Sequence, residues 1–298
     1  MKKNGMQELA LKSARCRIAK RTSVRMAGAA LGAALVLTPA LTAAGAPPKG
    51  PDANALARKM LAVYKKANSV QADYEAQILQ ARGSEYIQSG TIRYKTPDRV
   101  ELYTTDPLTG SFHAWADGRS ITVYSGKTNV YTKRTAPPGL GPTISGIERT
   151  SAEVLGTRSV QIFSPLSFIL AKEMPREAQN FTYLRQETII GHKTYCITGK
   201  MNESFVREVM VEIHSAIPIQ RDVKLWIDVH TSQLVRSACT ITWKVPAAGG
   251  DRNKPTYTVD GIQFQETYNS VILNAPIKDD IFHFTPPQGA RQLFQQSR

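Results

Sequence analysis

Leu56, Met60, Val63 and Ala67 recur at helical spacing with Tyr64 beside them, while Arg58, Lys59, Lys65 and Lys66 take the other side. This pattern predicts an amphipathic helix, capped by Asp52 or Asn54 and running to about Asn68, whose charged side is a solvated face. From Val70 the period drops to two. Ala72, Tyr74, Ala76 and Ile78 alternate with Gln71, Asp73, Glu75 and Gln77, as in a strand with one buried face. Further strands are predicted at Ile87–Lys95, Val100–Thr105, Phe112–Ala116, Ser120–Tyr124 and Asn129–Arg134, with turns at Thr96-Pro97-Asp98, Asp117-Gly118 and Gly126-Lys127. Connections this short make hairpins, hence an antiparallel meander and not a parallel α/β sheet.

The prolines and glycines of Pro137–Pro142 interrupt the sheet, and a mixed helical region follows to about Lys172. Within it, Pro165–Ala171 reads as a short, very apolar helix opened by Ser164 and Pro165. Strands resume at Thr182–Ile190, Lys193–Gly199, Val206–His214, Val223–Val229, Leu234–Lys244, Thr256–Thr267 (with a kink at Gly261) and Tyr268–Leu273. Ala247–Lys254 reads as an exposed polar loop. No internal repeat and no compositional break divides residues 47–298, which are expected to form one domain of about eleven strands and two or three helices.

The N-terminal 46 residues follow another pattern. A basic stretch ending at Arg25 runs into an apolar, small-residue segment, Met26–Ala46. This is the order of a secretory signal, with cleavage expected near Ala44 to Ala46. The competing reading is an uncleaved anchor, although the run is mostly Ala and Gly with Pro39 inside it. No Cys follows it to carry a lipid. The net charge is +14, and about half of it sits in this segment. The mature protein is therefore expected outside the cytoplasm and only moderately basic. That location, with no aromatic-basic patch, argues against nucleic acid as a partner.

Motifs for chemistry are few. The five His are scattered, and no H-x-H, H-E-x-x-H or G-x-S-x-G sequence occurs. Gly126-Lys127-Thr128 ends like a phosphate loop but lies in a hairpin turn and lacks the upstream glycine. Neither a metal nor a cofactor is expected. Cys196 and Cys239 lie in strands with at least one strand between them, so reduced, buried thiols are slightly preferred over a disulfide. A hydrolase acting on envelope polymers would need a carboxylate pair in a cleft, for which Asp228 and Glu266 are the strand candidates. More conspicuous are large apolar side chains at sheet positions, Tyr74, Ile92, Tyr94, Val100, Leu102, Trp115, Trp226 and Trp243 among them. Most are expected in a core beneath helices. A curved sheet with few helices can also leave room for an apolar ligand.

Five segments, taken in order, resemble the periplasmic outer-membrane lipoprotein carriers of the LolA type and their LppX-like relatives. Helix Ala55–Asn68 passes into Ser69–Tyr74. Ser89-Gly-Thr-Ile-Arg-Tyr-Lys-Thr-Pro97 is similar to the family's G-x-(aliphatic)-x-(aromatic or Val)-K-x-P segment, and Ala116-Asp-Gly-Arg-Ser-Ile-Thr-Val-Tyr124 to its D-G-K hairpin. Pro165–Lys172 matches the short apolar helix, and Phe282-His-Phe-Thr-Pro-Pro-Gln-Gly289 the F-x-F-x-P-P-x-G ending. The resemblance implies an α+β fold, an unclosed antiparallel β-barrel (a half-barrel) with helices covering its concave face. It implies a non-enzymatic, monomeric periplasmic carrier whose cavity, lined by Val100, Leu102, Trp115, Leu166, Phe168, Ile169 and Leu170, holds acyl chains of lipoproteins or lipids. An inner-membrane transporter and an outer-membrane acceptor would be its partners. The family's lid-holding Arg is replaced by Thr96, which makes that position the expected control point of the lid and leaves open whether the cargo is lipoprotein or free lipid. Periplasmic sensors that bind a membrane regulator of the anti-sigma-factor type share the fold and are the alternative.

Overall fold

The computed structural model describes residues 50–80, 85–106, 110–155, 178–201, 217–246 and 257–293. The predicted signal segment, the apolar helix Pro165–Ala171, the strand Val206–His214 and the loop Ala247–Lys254 fall outside the described residues.

Asp52 starts the first helix. Its carboxylate accepts the N–H groups of Asn54 (2.9 Å) and Ala55 (3.1 Å), two of the donors that a helix start leaves unpaired. Helix α1 runs Ala53–Lys66, with Lys65 and Lys66 in its last turn, where cations favour the dipole. Its buried stripe is Ala53, Ala57, Met60 and Tyr64. The predicted stripe is thus rotated slightly. Leu56 and Val63 are half-buried flanks, and the small Ala53 and Ala57 let the helix lie close.

The first meander, β1 to β6, comprises Ser69–Gln80, Glu85–Lys95, Arg99–Asp106, Gly110–Asp117, Ser120–Ser125 and Val130–Thr135. Helix α2 follows at Leu140–Leu155. A second meander, β7 to β11, comprises Ala178–Ile189, His192–Met201, Ile217–Asp228, Leu234–Pro246 and Tyr257–Leu273. Strand β11 returns to pair antiparallel with β1, so the two meanders join into one sheet. A two-residue strand, β12 (Arg291–Gln292), adds parallel to β6. The order among the described residues is β12-β6-β5-β4-β3-β2-β1-β11-β10-β9-β8-β7. Strands β12 and β7 are the two edges and do not meet, so the sheet is unclosed. This is the open half-barrel expected of the sequence.

Strands β2 to β6 lie within two residues of their predicted bounds. The C-terminal region differs. The two strands expected on either side of Thr267 are one 17-residue strand, β11, which runs through Gly261 without a break. A register shift beside Asp73 and Tyr74 lets this long strand stay paired with β1. Nothing between Thr267 and Tyr268 has turn chemistry, so the chain has no cause to break there.

One face of the sheet carries the helices. On it Val70, Ala72, Ile92, Tyr94, Val100 and Leu102 join the main core with Ala114, Ala116 and Val123. Helix α2 packs on β5 and its neighbours β4 and β6 through Leu140, Ile147 and Val154. At Gly146 an added Cβ would stand 2.6 Å from the Ile121 side chain, so the glycine sets how close α2 approaches β5. Buried Thr150 and Ser151 donate their hydroxyls back to the carbonyls of Gly146 (2.8 Å) and Ile147 (2.6 Å), which satisfies them inside the interface. Helix α1 packs on β7 and reaches β10, where the Tyr64 hydroxyl accepts the Leu234 N–H at 3.1 Å.

The C-terminal segment crosses the other face. A 3-10 turn, Asp279–Phe282, is tied down by Lys95 (2.6 Å) and Arg99 (2.5 Å), which both bridge to Asp279. Lys95 also donates to the Ile277 carbonyl at 2.9 Å. Hydrogen bonds from Arg99 and Lys95 hold the Asp279 carboxyl down at about 2.

Candidate functional site

The helices sit toward the flanks of the sheet, and the central strands β11, β1, β2 and β3 lie between them. Their helix-bearing side is apolar, with a few polar groups at the middle. Tyr74 on β1 reaches across β2 to Thr104 on β3, hydroxyl to hydroxyl at 2.8 Å. The crossing needs Gly90, where a Cβ would lie 2.3 Å from the Tyr103 carbonyl oxygen and 2.7 Å from the Tyr74 hydroxyl. This glycine is the first residue of the G-x-(aliphatic) segment noted in the sequence, and its physical role is to leave that space. Burial pushes the Tyr74 hydroxyl well above its ordinary range.

Beside Tyr74 lies Tyr268, its partner across β11. The Tyr268 hydroxyl donates to Glu266, a carboxylate only 1% exposed. Across β10 from Glu266 is Ser237, 0% exposed, whose hydroxyl oxygen has no hydrogen-bond partner among the described residues. Cys239 stands next on β10, and burial, reinforced by the charge of Glu266, pushes its thiol up to about 12. Farther along this face Trp243, Ile262, Val271 and Leu273 are only partly buried against the core. The result is an apolar surface with a hydrogen-bonded centre, of the kind that ligand pockets use.

Of the residues expected to line a cavity, Val100 (2% exposed) and Leu102 (4%) lie on this face, paired across β4 with Ala116 and Ala114. Leu166, Phe168, Ile169 and Leu170 lie outside the described residues. Trp115 does not join Val100 and Leu102: it projects from the opposite face. Along β4 the buried positions are Phe112, Ala114 and Ala116, and Trp115 falls between them. Its partner across β3 is Glu101, not an aliphatic residue. The size of the side chain had suggested the core, but strand parity decides the face. Glu101, flanked by Val100 and Leu102, carried that signal in the sequence.

On that opposite face Trp115 stacks on His113 (centroids 3.7 Å apart) and meets Phe284 at 4.8 Å. Phe284 also packs on Tyr131 at 4.9 Å. His113 shares Glu101 with Arg93: the carboxylate lies 2.6 Å from His113 Nε2 and accepts Arg93 Nη1 at 2.7 Å. Thr96 follows the last residue of β2, is exposed, and donates its N–H to the Asn68 carbonyl at 2.9 Å. Arg93 and Lys95 both project from the face opposite Tyr94, bound to Glu101 and Asp279 respectively.

The two carboxylates weighed for hydrolysis are separated by the sheet. Asp228 projects away from the helices, where it accepts the N–H groups of His230 (2.8 Å) and Thr231 (2.7 Å) and contacts His192 Nδ1 at 3.0 Å. Burial raises its pKa, but these hydrogen bonds outweigh burial and the net shift is downward. It is a turn-holding residue. Cys196 and Cys239 are free, with β9 between their strands. Among the described residues no three His, Cys, Asp or Glu are placed to hold a metal ion.

Residues 53–294 match the family described as "Predicted periplasmic protein (DUF2092)". The chain belongs to this DUF2092 family. That description accords with the periplasmic location expected from the N-terminal segment. Solved structures similar to this DUF2092 chain include the lipoprotein LppX from Mycobacterium tuberculosis, at 15% identity, TM-score 0.40, covering 76% of this chain and 97% of that one. LprF from Mycobacterium bovis is similar at 14% identity and TM-score 0.39, covering 83% and 100%. A LolA superfamily protein from Nitrosomonas europaea is similar at 13% identity and TM-score 0.31, covering 79% and 99%. No curated protein matches the sequence.

Proposed function

We propose that this chain is a non-catalytic periplasmic carrier that holds the acyl chains of lipoproteins or free lipids against the helix-bearing face of its sheet. The observation that supports this reading most is that face itself: an unclosed sheet with α1 and α2 toward its flanks and half-buried Trp243, Ile262 and Val271 between apolar strands. Each methylene removed from water contributes about 0.8 kcal/mol, so an acyl chain binds such a surface without any catalytic group. Asp228 and Glu266, on opposite faces, do not form the pair that hydrolysis of a glycan requires. The apolar run Leu166, Phe168, Ile169 and Leu170 supplies the lid in this reading, and Thr96 takes the lid-control position. A membrane transporter that loads the carrier and an acceptor that empties it complete the cycle.

Protein isolated from its own periplasm without detergent, then extracted into organic solvent, is expected to yield an acyl lipid or a lipidated peptide near one equivalent by mass spectrometry. A clean extract, together with no uptake of a fluorescent fatty acid, would overturn the proposal.

A further inference from the structure

The outward side of α1 is a cationic surface on a helix that carries no acid. Arg58, Lys59, Lys65 and Lys66 are all exposed, and no residue of Ala53–Lys66 is Asp or Glu. Opposite the buried stripe of Ala53, Ala57, Met60 and Tyr64 stand Ala55 and Ala62, also exposed. The cations flank these two alanines, with Arg58 and Lys65 on one side and Lys59 and Lys66 on the other. Each pair is seven residues apart in sequence, so its members share a side of the helix and stand roughly 10 Å apart along the axis. The charges mark the corners of a shallow patch with small side chains at its middle.

These charges are unspent. Lys59, Lys65 and Lys66 have no hydrogen-bond or ion-pair partner among the described residues. Arg58 meets Asp52 at 3.7 Å, with both side chains mostly in water. The other Asp52 oxygen already holds the N–H groups of Asn54 and Ala55. So loose and exposed a pair contributes little, and the patch stays positive.

The apolar content of the patch narrows its occupant. Among the described residues none of the exposed large hydrophobic side chains belongs to α1, and Leu56 and Leu61 are half-buried against the core. A protein interface is built around buried aromatic and apolar anchors, and this side of α1 presents none. A layer of anionic headgroups needs no anchor, because it attracts basic groups by charge alone. We infer that α1 docks the protein on an anionic phospholipid bilayer, lying flat on the headgroups without inserting. The inference stands apart from the acyl-chain reading. Since α1 flanks the helix-bearing face, docking also brings that face to the bilayer.

Sedimentation with vesicles tests this on protein isolated from its own periplasm. Vesicles of phosphatidylcholine with about one-third phosphatidylglycerol are expected to bind it at about 0.05 M salt and to release it at about 0.5 M, and pure phosphatidylcholine vesicles should not bind it. Each cation removed should weaken binding roughly fivefold, so Lys59→Gln, Lys65→Gln and Lys66→Gln together should weaken it about a hundredfold. The same loss of charge elsewhere, by Lys133→Gln, Lys193→Gln and Lys224→Gln at exposed strand positions, should weaken it less than about fivefold. Both variants should keep the parent's circular dichroism spectrum. Equal binding to neutral vesicles, no binding to anionic ones, or equal losses in the two triple variants would overturn the inference. Binding to polyglutamate as tight as to anionic vesicles would assign the patch to an acidic protein segment and overturn it as well.

Discussion

Strands β2 to β6 show two faces with the same backbone and opposite economies of side chain. Toward α2 they present Val100, Leu102, Ala114 and Ala116, small and medium groups that a helix can approach closely. Away from α2 they present Tyr103, His113, Trp115, Tyr124 and Tyr131, a partly exposed ring cluster laced across the strands, whereas the rings on the helix-bearing face, Tyr94 and Phe112, are buried. Phe284 of the C-terminal segment covers part of this cluster, packing on Trp115, Tyr124 and Tyr131. Closeness of packing, not side-chain size, marks the core here.

The sharpest way to break this comparison is to exchange the costs of the two faces. Leu102→Ala removes a 4% exposed side chain from the helix-bearing face and should cost about 2–5 kcal/mol in denaturant unfolding. Trp115→Ala removes a larger side chain but should cost less, since each ring contact contributes only about 0.5–1.5 kcal/mol beyond its area. A larger loss for Trp115→Ala would place the core on the wrong side of the sheet.

A smaller effect sharpens the account of the central strands. Gly90→Ala puts a methyl group against the Tyr103 carbonyl and the Tyr74 hydroxyl. The expected cost is about 1–3 kcal/mol, with the Tyr74–Thr104 hydrogen bond broken. Combined with Tyr74→Phe, the loss should fall below the sum of the two single changes, because both act on that contact. Strict additivity would show that Gly90 is not there to make room for Tyr74.

The smallest effect concerns the strap on the open face. Asp279 has its carboxyl lowered from an ordinary 3.8 to about 2 by Arg99 and Lys95. A carboxyl depressed in the folded state adds stability above its unfolded value, and that stability is lost as pH falls through the folded value. Asp279→Asn should therefore be slightly less stable than the parent at pH 6. The two should converge between about pH 4 and pH 2. The ion pairs are exposed, so salt should shrink the difference as well. A difference that persists at pH 2 would mean that Asp279 acts through packing and not charge.

Much of this fold was legible because the signals were local. The cap at Asp52, the period-two runs and the hairpin turns at Pro97, Gly118 and Gly126 place β2 to β6 closely. Three features were not legible. The face of Trp115 depends on register across β3, which no single strand reveals. The unbroken β11 depends on an irregularity of its own, where Asn269 is skipped in the pairing with β1. The Glu266–Tyr268–Ser237 centre joins residues from two strands, and their facing positions appear only in the register of β10 against β11.

The three tryptophans allow the central claim to be tested on one protein. Trp243 belongs to the helix-bearing face, whereas Trp115 lies on the open face and Trp226 in the small cluster with Cys196 and Val235 on that same side. A fatty acid brominated along its chain quenches only the indoles it lies against. Titrated into the wild type, it is expected to quench part of the tryptophan emission. That quenching should be retained in Trp115→Phe and Trp226→Phe and largely lost in Trp243→Phe. Quenching that survives Trp243→Phe, or that disappears in Trp115→Phe, would contradict the assignment of acyl chains to the helix-bearing face.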